Sequence, residues 1–196
     1  MTYFKLGINI LIYPILYILS LIIDLLAYPM AIVIAIISLY KEKLPSIFNI
    51  WLTHDNPIDG DEGHLQRHPD SSNKLAILKR RIAWLWRNKG YTFDYKYLGR
   101  NIGNKLTNFG NPETTDYGVE GKIFQFDENG VWEFYLIKRY SFNKNKCLRI
   151  RLGWKLDDTK VGTNERMMLA TSIGLWKSFV EKEEKNKWRI MWITNT

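Results

Sequence analysis

One stretch limits this chain more than any other. Residues Ile8 to Tyr40, INILIYPILYILSLIIDLLAYPMAIVIAIISLY, carry a single charge, Asp24. A bilayer core is about 30 Å thick and is crossed by about 20 apolar residues. The run is therefore too long for one straight span and too short for two spans with a loop. It is also too long for a cleaved signal peptide, and no small-residue cleavage site closes it. Three layouts fit. One is a single long helix, tilted and kinked at Pro14 or Pro29. The second is a helical hairpin turning between Asp24 and Pro29. The third is a helical pair buried in a soluble protein. An unpaired Asp at the bilayer centre costs a few kcal/mol, and a helix–helix contact at Asp24 would remove that cost. Membrane association is the expectation, with span and hairpin both open.

Charge orients the segment. Of 28 Lys and Arg, only Lys5 precedes the run, whereas Lys41 and Lys43 follow it directly. The positive-inside rule then leaves the long C-terminal part in the cytoplasm. Trp51 stands where an interfacial aromatic belongs. The net charge of +8 favours an anionic partner, lipid or nucleic acid. The eight Trp, eleven Tyr and nine Phe suffice for a core and an interface together. One cysteine, Cys147, excludes an internal disulfide and any Cys-based zinc site. It reads as a buried strand residue and suits a reducing compartment.

PDSSNKLAILKRRIAWLWRNKGY has the marks of a helix. Asp70, Ser71 or Ser72 caps its start and Gly90 ends it. Leu75, Leu78, Ile82, Leu85 and Trp86 recur at spacings of three and four, with Lys74, Lys79, Arg80, Arg81, Arg87 and Lys89 elsewhere. Two readings weigh equally. In one, a basic amphipathic helix lies in a headgroup layer, with Trp51, Lys79, Arg80, Arg81, Trp84, Trp86 and Arg87 at the interface. In the other it is a core helix with a solvated basic face. Nucleic-acid binding is less favoured, because no recognised motif accompanies the charges.

From Val119 the period changes to two. VEGKIFQF and VWEFYLIKRYSF form a hairpin about the turn signal Asn129-Gly130. In CLRIRLGWKL, Leu148, Ile150, Leu152 and Trp154 face one way, and Arg149, Arg151 and Lys155 the other. The second set is either a basic binding surface or the wet side of a sheet. WRIMWIT, with Trp188, Ile190 and Trp192 on one side, reads as a last strand. Glu165 to Val180 fits a helix that Gly174 weakens, and Tyr91 to Tyr117 reads as loop. The expected class is α+β: residues 1–45 a hydrophobic helical anchor, residues 46–196 a basic domain with a helix and a small antiparallel sheet.

All three histidines fall in HDNPIDGDEGHLQRH, His54 to His68. Asn56-Pro57 and Asp59-Gly60 make it first a turn. Asp55, Asp59, Asp61 and Glu62 are also hard oxygen donors for a divalent cation, with His68 as a nitrogen donor. The spacing matches no standard metal loop. His68 with Asp61 is the first acid–base pair to consider. Nucleophile elbow, P-loop and dinucleotide fingerprint are all absent, and no cofactor other than such a cation is expected.

DNPIDGDEG before His68-Pro69, RIAWLWRNKGYTFDY and LRIRLGWKL together resemble a family of small uncharacterised proteins of tailed bacteriophages. Asp55, Asn56, Asp59, Gly60, Asp61 and Gly63 match its acidic motif; Arg87, Asn88, Arg151, Gly153, Trp154 and Lys155 match the later ones. His64 stands where the pattern has Trp, which makes it a poorer ligand than His68. The resemblance implies a phage origin and no chemistry. The leading expectation is a non-enzymatic, membrane-anchored phage protein. It would act at the host inner membrane through an unidentified protein or an anionic surface, with self-association open. The alternatives are a metal-dependent membrane enzyme and a virion structural protein.

Overall fold

The computed structural model describes residues 1–69, 72–114 and 119–179. The fold is α+β. Helix α1 runs unbroken from Thr2 to Ser38, with Pro14 and Pro29 inside it. No hairpin forms between Asp24 and Pro29. Each proline leaves one carbonyl, four residues back, without an amide donor, and the helix carries this loss. A 3-10 turn (Ser46–Ile50) follows, then α2 (Glu62–Arg67), α3 (Lys74–Arg87) and α4 (Tyr91–Lys96). Strands β1 (Arg100–Asn101), β2 (Leu106–Gly110), β3 (Gly121–Asp127), β4 (Trp132–Arg139), β5 (Lys146–Gly153), β6 (Arg166–Met167) and β7 (Ser172–Ser178) complete it.

The chain divides into two compact units. One unit is residues 1–13 with the described residues from 100 on. The other is residues 14–99.

The first unit is a five-stranded antiparallel sheet, ordered β2-β3-β4-β5-β7, beside a two-stranded β1-β6 ribbon. The β3–β4 turn is made where Asn129-Gly130 predicts it. Gly130 has φ of 74°, and the buried carboxylate of Asp127 accepts from the amides of Asn129 and Val131 at 2.8 Å each. That turn docks on α1: Asn9 Nδ2 donates to the Gly130 carbonyl at 2.8 Å. Cross-strand pairing puts Phe126 and Trp132 on one face, and Gln125 and Glu133 on the other. On the first face, Tyr13 of α1 packs edge-on to Trp132, ring centroids 4.9 Å apart. On the second, Cys147 is buried with Ile123, Tyr135, Ile137 and Phe179.

Two expectations fail here. Tyr91 to Thr114, the described part of the stretch expected as loop, supplies α4, β1 and β2. Glu165 to Val180 is not helix, because β6 and β7 occupy it. Arg149, Ile150 and Arg151 of β5 pair with Gly174, Ile173 and Ser172 of β7, and partner strands override a helical spacing. The strand expected over Trp188 to Thr194 lies outside the described residues.

In the second unit, Ala31 and Ile34 of α1 pack on Trp84 and Leu85 of α3. Helix α3 is capped by Asn73, whose side chain accepts from the Ala76 amide at 2.8 Å. The cap is therefore not Ser72, and Asp70 and Ser71 lie outside the described residues. Gly90, at φ 68°, stands at the N-cap of α4.

Candidate membrane face and the acidic turn

Helix α1 has a covered face and an open one, and both are rich in apolar residues. Leu6, Tyr13, Ser20, Ala27 and Ile34, each seven residues apart, are buried. Phe4, Leu11, Ile18, Leu25 and Ile32, also seven apart, are exposed by 72%, 77%, 55%, 60% and 42%. The two series are offset by two residues, about 200° around a helix, so they lie on opposite sides. The helix's polar residues follow the covered side: Lys5, Asn9, Ser20, Asp24 and Ser38 are all partly or wholly buried. Asp24 reaches Gly90 at the start of α4, where a Cβ would collide with its carboxylate. Ser20 hydrogen-bonds Asp94. Burial, with a smaller push from the Asp24 charge and against the Ser20 bond, raises the Asp94 carboxyl to about 7. Asp24 thus lies in a helix–helix contact, with its Oδ1 buried and without a hydrogen-bond partner.

By length and composition α1 is able to cross a membrane. Its neighbours bear on how it would meet one. Tyr13 is covered in the first unit and Ser20 in the second.

The acidic turn distributes its side chains one at a time. Asp59 takes Arg80 at 2.7 Å and Arg81 at 2.9 Å. Burial pushes its carboxyl up, but the hydrogen bonds and charges of Arg81 and Arg80 outweigh this and hold it below the usual carboxylate range. Asp61 caps α2 by accepting from the His64 amide at 2.7 Å. Asp55 accepts from the Tyr91 hydroxyl at 3.1 Å, and Glu62 from Gln66 at 3.3 Å. His68 is exposed at the end of α2. His64 is 2% exposed. Its Nε2 lies 3.0 Å from the Arg80 carbonyl; a carbonyl only accepts, so Nε2 carries the proton. Burial lowers the His64 pKa, although this bond and nearby positive charges also act on it. Among the described residues, no three His, Cys, Asp or Glu side chains gather into a set that could hold a metal ion.

The expected interface residues separate. Trp84 is in the core, and Trp51 packs against it with its indole N–H on the Ile23 carbonyl at 3.2 Å. Arg80 is buried on Asp59, and Arg81 also donates to the Ser38 carbonyl at 2.8 Å. Lys79, Trp86 and Arg87 stay exposed. Trp86 bonds the Tyr28 carbonyl of α1 at 3.1 Å, which places it beside the open apolar face.

Of the sheet residues, Arg149 and Arg151 line a cavity of about 440 Å³, and Lys155 is exposed outside it. Asn108, Gln125, Glu133 and Tyr135 share the lining. Their signal was a row of polar residues at alternate positions of β2, β3 and β4.

Residues 5–181 match a family of unknown function, DUF7338, and the chain belongs to it. No curated protein and no solved structure matches the chain.

Proposed function

We propose that this member of the DUF7338 family is a membrane-associated, non-enzymatic protein. Helix α1 would lie along the bilayer surface and bury its open face among the headgroups and upper acyl chains. The observation that carries the reading is the open apolar face of α1. A soluble helix turns its apolar side inward, and α1 turns its polar residues inward and leaves Phe4, Leu11, Ile18 and Leu25 outside. Exposed apolar patches of more than a few hundred Å² mark membrane or partner contacts. Covering the five outermost residues with lipid is worth about 1 kcal/mol each, roughly 5 kcal/mol together. Lys41, Lys43, Lys79 and Arg87 supply attraction to anionic headgroups, about 1 kcal/mol per charge near the surface.

The leaflet in this reading is the cytoplasmic one. Lys41 and Lys43 at the end of α1 support it, because the cytoplasmic leaflet carries the anionic lipids that attract basic residues. The motif resemblance supports a phage protein at the host inner membrane. Fractionation of the full-length protein, expressed at low level, tests the reading. Retention on membranes through a high-salt wash is expected, because apolar burial is not screened. Recovery in the soluble fraction would overturn it and favour a subunit whose open helix face packs on its neighbours.

A further inference from the structure

We infer that the cavity on the sheet face away from α1 binds a small, water-soluble oxyanion, a phosphate or carboxylate group, through Arg151 and Arg149. Strand register sets the placement. Asn108, Gln125 and Glu133 form one cross-strand row, and Ile123, Tyr135 and Arg151 the next. Tyr3 and Tyr13 of α1 pack on the opposite face, against Phe126 and Trp132. Within this unit the cavity therefore opens away from the helix assigned to lipid.

The alternative is that the arginines only solvate the wet side of a sheet. Glu133 argues against that. It is 2% exposed, and burying a carboxylate is costly unless it is paired. Its Oε1 stands 2.6 Å from Arg151 Nε. Its Oε2 accepts from Gln125 Nε2 at 2.8 Å and from the Leu156 amide at 3.2 Å. The Arg151 guanidinium also lies over the Tyr135 ring, 4.6 Å from its centroid. Arg151 is thereby held by the Glu133 charge, in an ion pair that lacks hydrogen-bond geometry, and over one flat face. Its two terminal nitrogens are the edge that binds a phosphate or carboxylate bidentately. Arg149 stands two residues along β5 on the same face, about 7 Å away by strand rise. It adds a second charge within the same cavity. Asn108 supplies an amide that both donates and accepts. The Glu133 charge is consumed in holding Arg151. Asp158 is exposed at the rim, where it is screened. The cavity volume suits a small molecule and not a macromolecular surface.

The test uses the full chain in a neutral-headgroup detergent, titrated with inorganic phosphate. Saturable binding with a rise in Tm is expected. Arg149→Gln should weaken it about tenfold or more. Arg151→Gln alone would strand the Glu133 charge, so the paired variant Glu133→Gln/Arg151→Gln is used, and it should abolish the effect with the fold retained. Neither variant should change binding to vesicles of anionic lipid. Absence of saturable binding, or equal binding by both variants, would overturn the inference. Loss of vesicle binding in Arg149→Gln would assign the cavity to a lipid headgroup and overturn the soluble source.

Discussion

Replacing Leu11 and Leu25 by Gln attacks the open face of α1 without touching its packed side. Leu11 is 77% exposed and Leu25 60%. Fully burying a leucine is worth about 1.5–3 kcal/mol, so lipid covering these exposed portions contributes about 1–2 kcal/mol at each. A glutamine forgoes that gain. It also places an amide at the acyl boundary at a cost of about 0.5–2 kcal/mol. The double variant should therefore lose about 4 kcal/mol of membrane affinity, roughly a thousandfold in partition. Folding should hardly change, because both sites are exposed and such substitutions stay within about 0.5 kcal/mol. Co-sedimentation with lipid vesicles gives the partition, and urea unfolding in neutral detergent gives the stability. Ile34→Ala is the counterpart. Ile34 is 0% exposed, so this variant should lose about 2–5 kcal/mol of stability while the folded fraction binds vesicles normally. Unchanged partition of Leu11→Gln/Leu25→Gln, or a larger partition loss in Ile34→Ala, would refute the assignment of the two faces.

Three further outcomes follow from particular side chains. Asp59→Asn should destabilise by about 3 kcal/mol, because it leaves Arg80 buried without its anion; the urea midpoint measures this, and a neutral effect would show the pair to be dispensable. The Asp59 carboxyl is depressed, so its contribution should be present near neutrality and fade as pH falls through its folded pKa. Asp94 has the opposite sign: the folded state keeps its proton to about 7 and the unfolded chain releases it near pH ~4. Stability should thus fall as pH rises across that window, and Asp94→Asn should flatten the fall; identical profiles in both proteins would contradict the burial argument. Gly130→Ala should cost about 1–3 kcal/mol, since a Cβ at φ 74° would also strike the backbone of Lys5 and Leu6; a stability within error of the parent would exclude the close approach of turn and helix.

Where residue chemistry is local, the sequence is readable. An apolar run, the Asn129-Gly130 turn and the alternation of Leu148 to Leu152 each depend on near neighbours, and each appears in the fold. The sidedness of α1 was harder to see because isoleucine and leucine occupy both faces. Its trace was there in Lys5, Asn9, Ser20, Asp24 and Ser38, polar residues that share the covered side. Strands β6 and β7 were hidden because Met168, Leu169, Ile173, Trp176 and Phe179 have helical spacing and only pairing with β5 decides the matter. Helix α4 and strand β2 were lost among glycines and asparagines that end elements as often as they fill loops. The acidic turn shows how nearness in sequence and a shared partner differ. Asp55, Asp59, Asp61 and Glu62 are close in sequence, yet each is taken by a different partner. Arg80 and Arg81, read as surface charge, are the counter-ions that Asp59 needs. The cavity was half legible: alternation put Arg149 and Arg151 on one face, but Glu133 and Gln125 reach them only through strand order.

The central claim is that α1 lies along the membrane surface. Nitroxide labels on Phe4, Ile18 and Ile32, one at a time, measure depth in vesicles at the start, middle and end of the open face. Cys147 is fully buried and does not compete for label. The account predicts one shallow depth at all three sites, about 5–10 Å below the headgroups. A label at Ile18 near the bilayer centre, with Phe4 and Ile32 at opposite surfaces, would contradict it and make α1 a span.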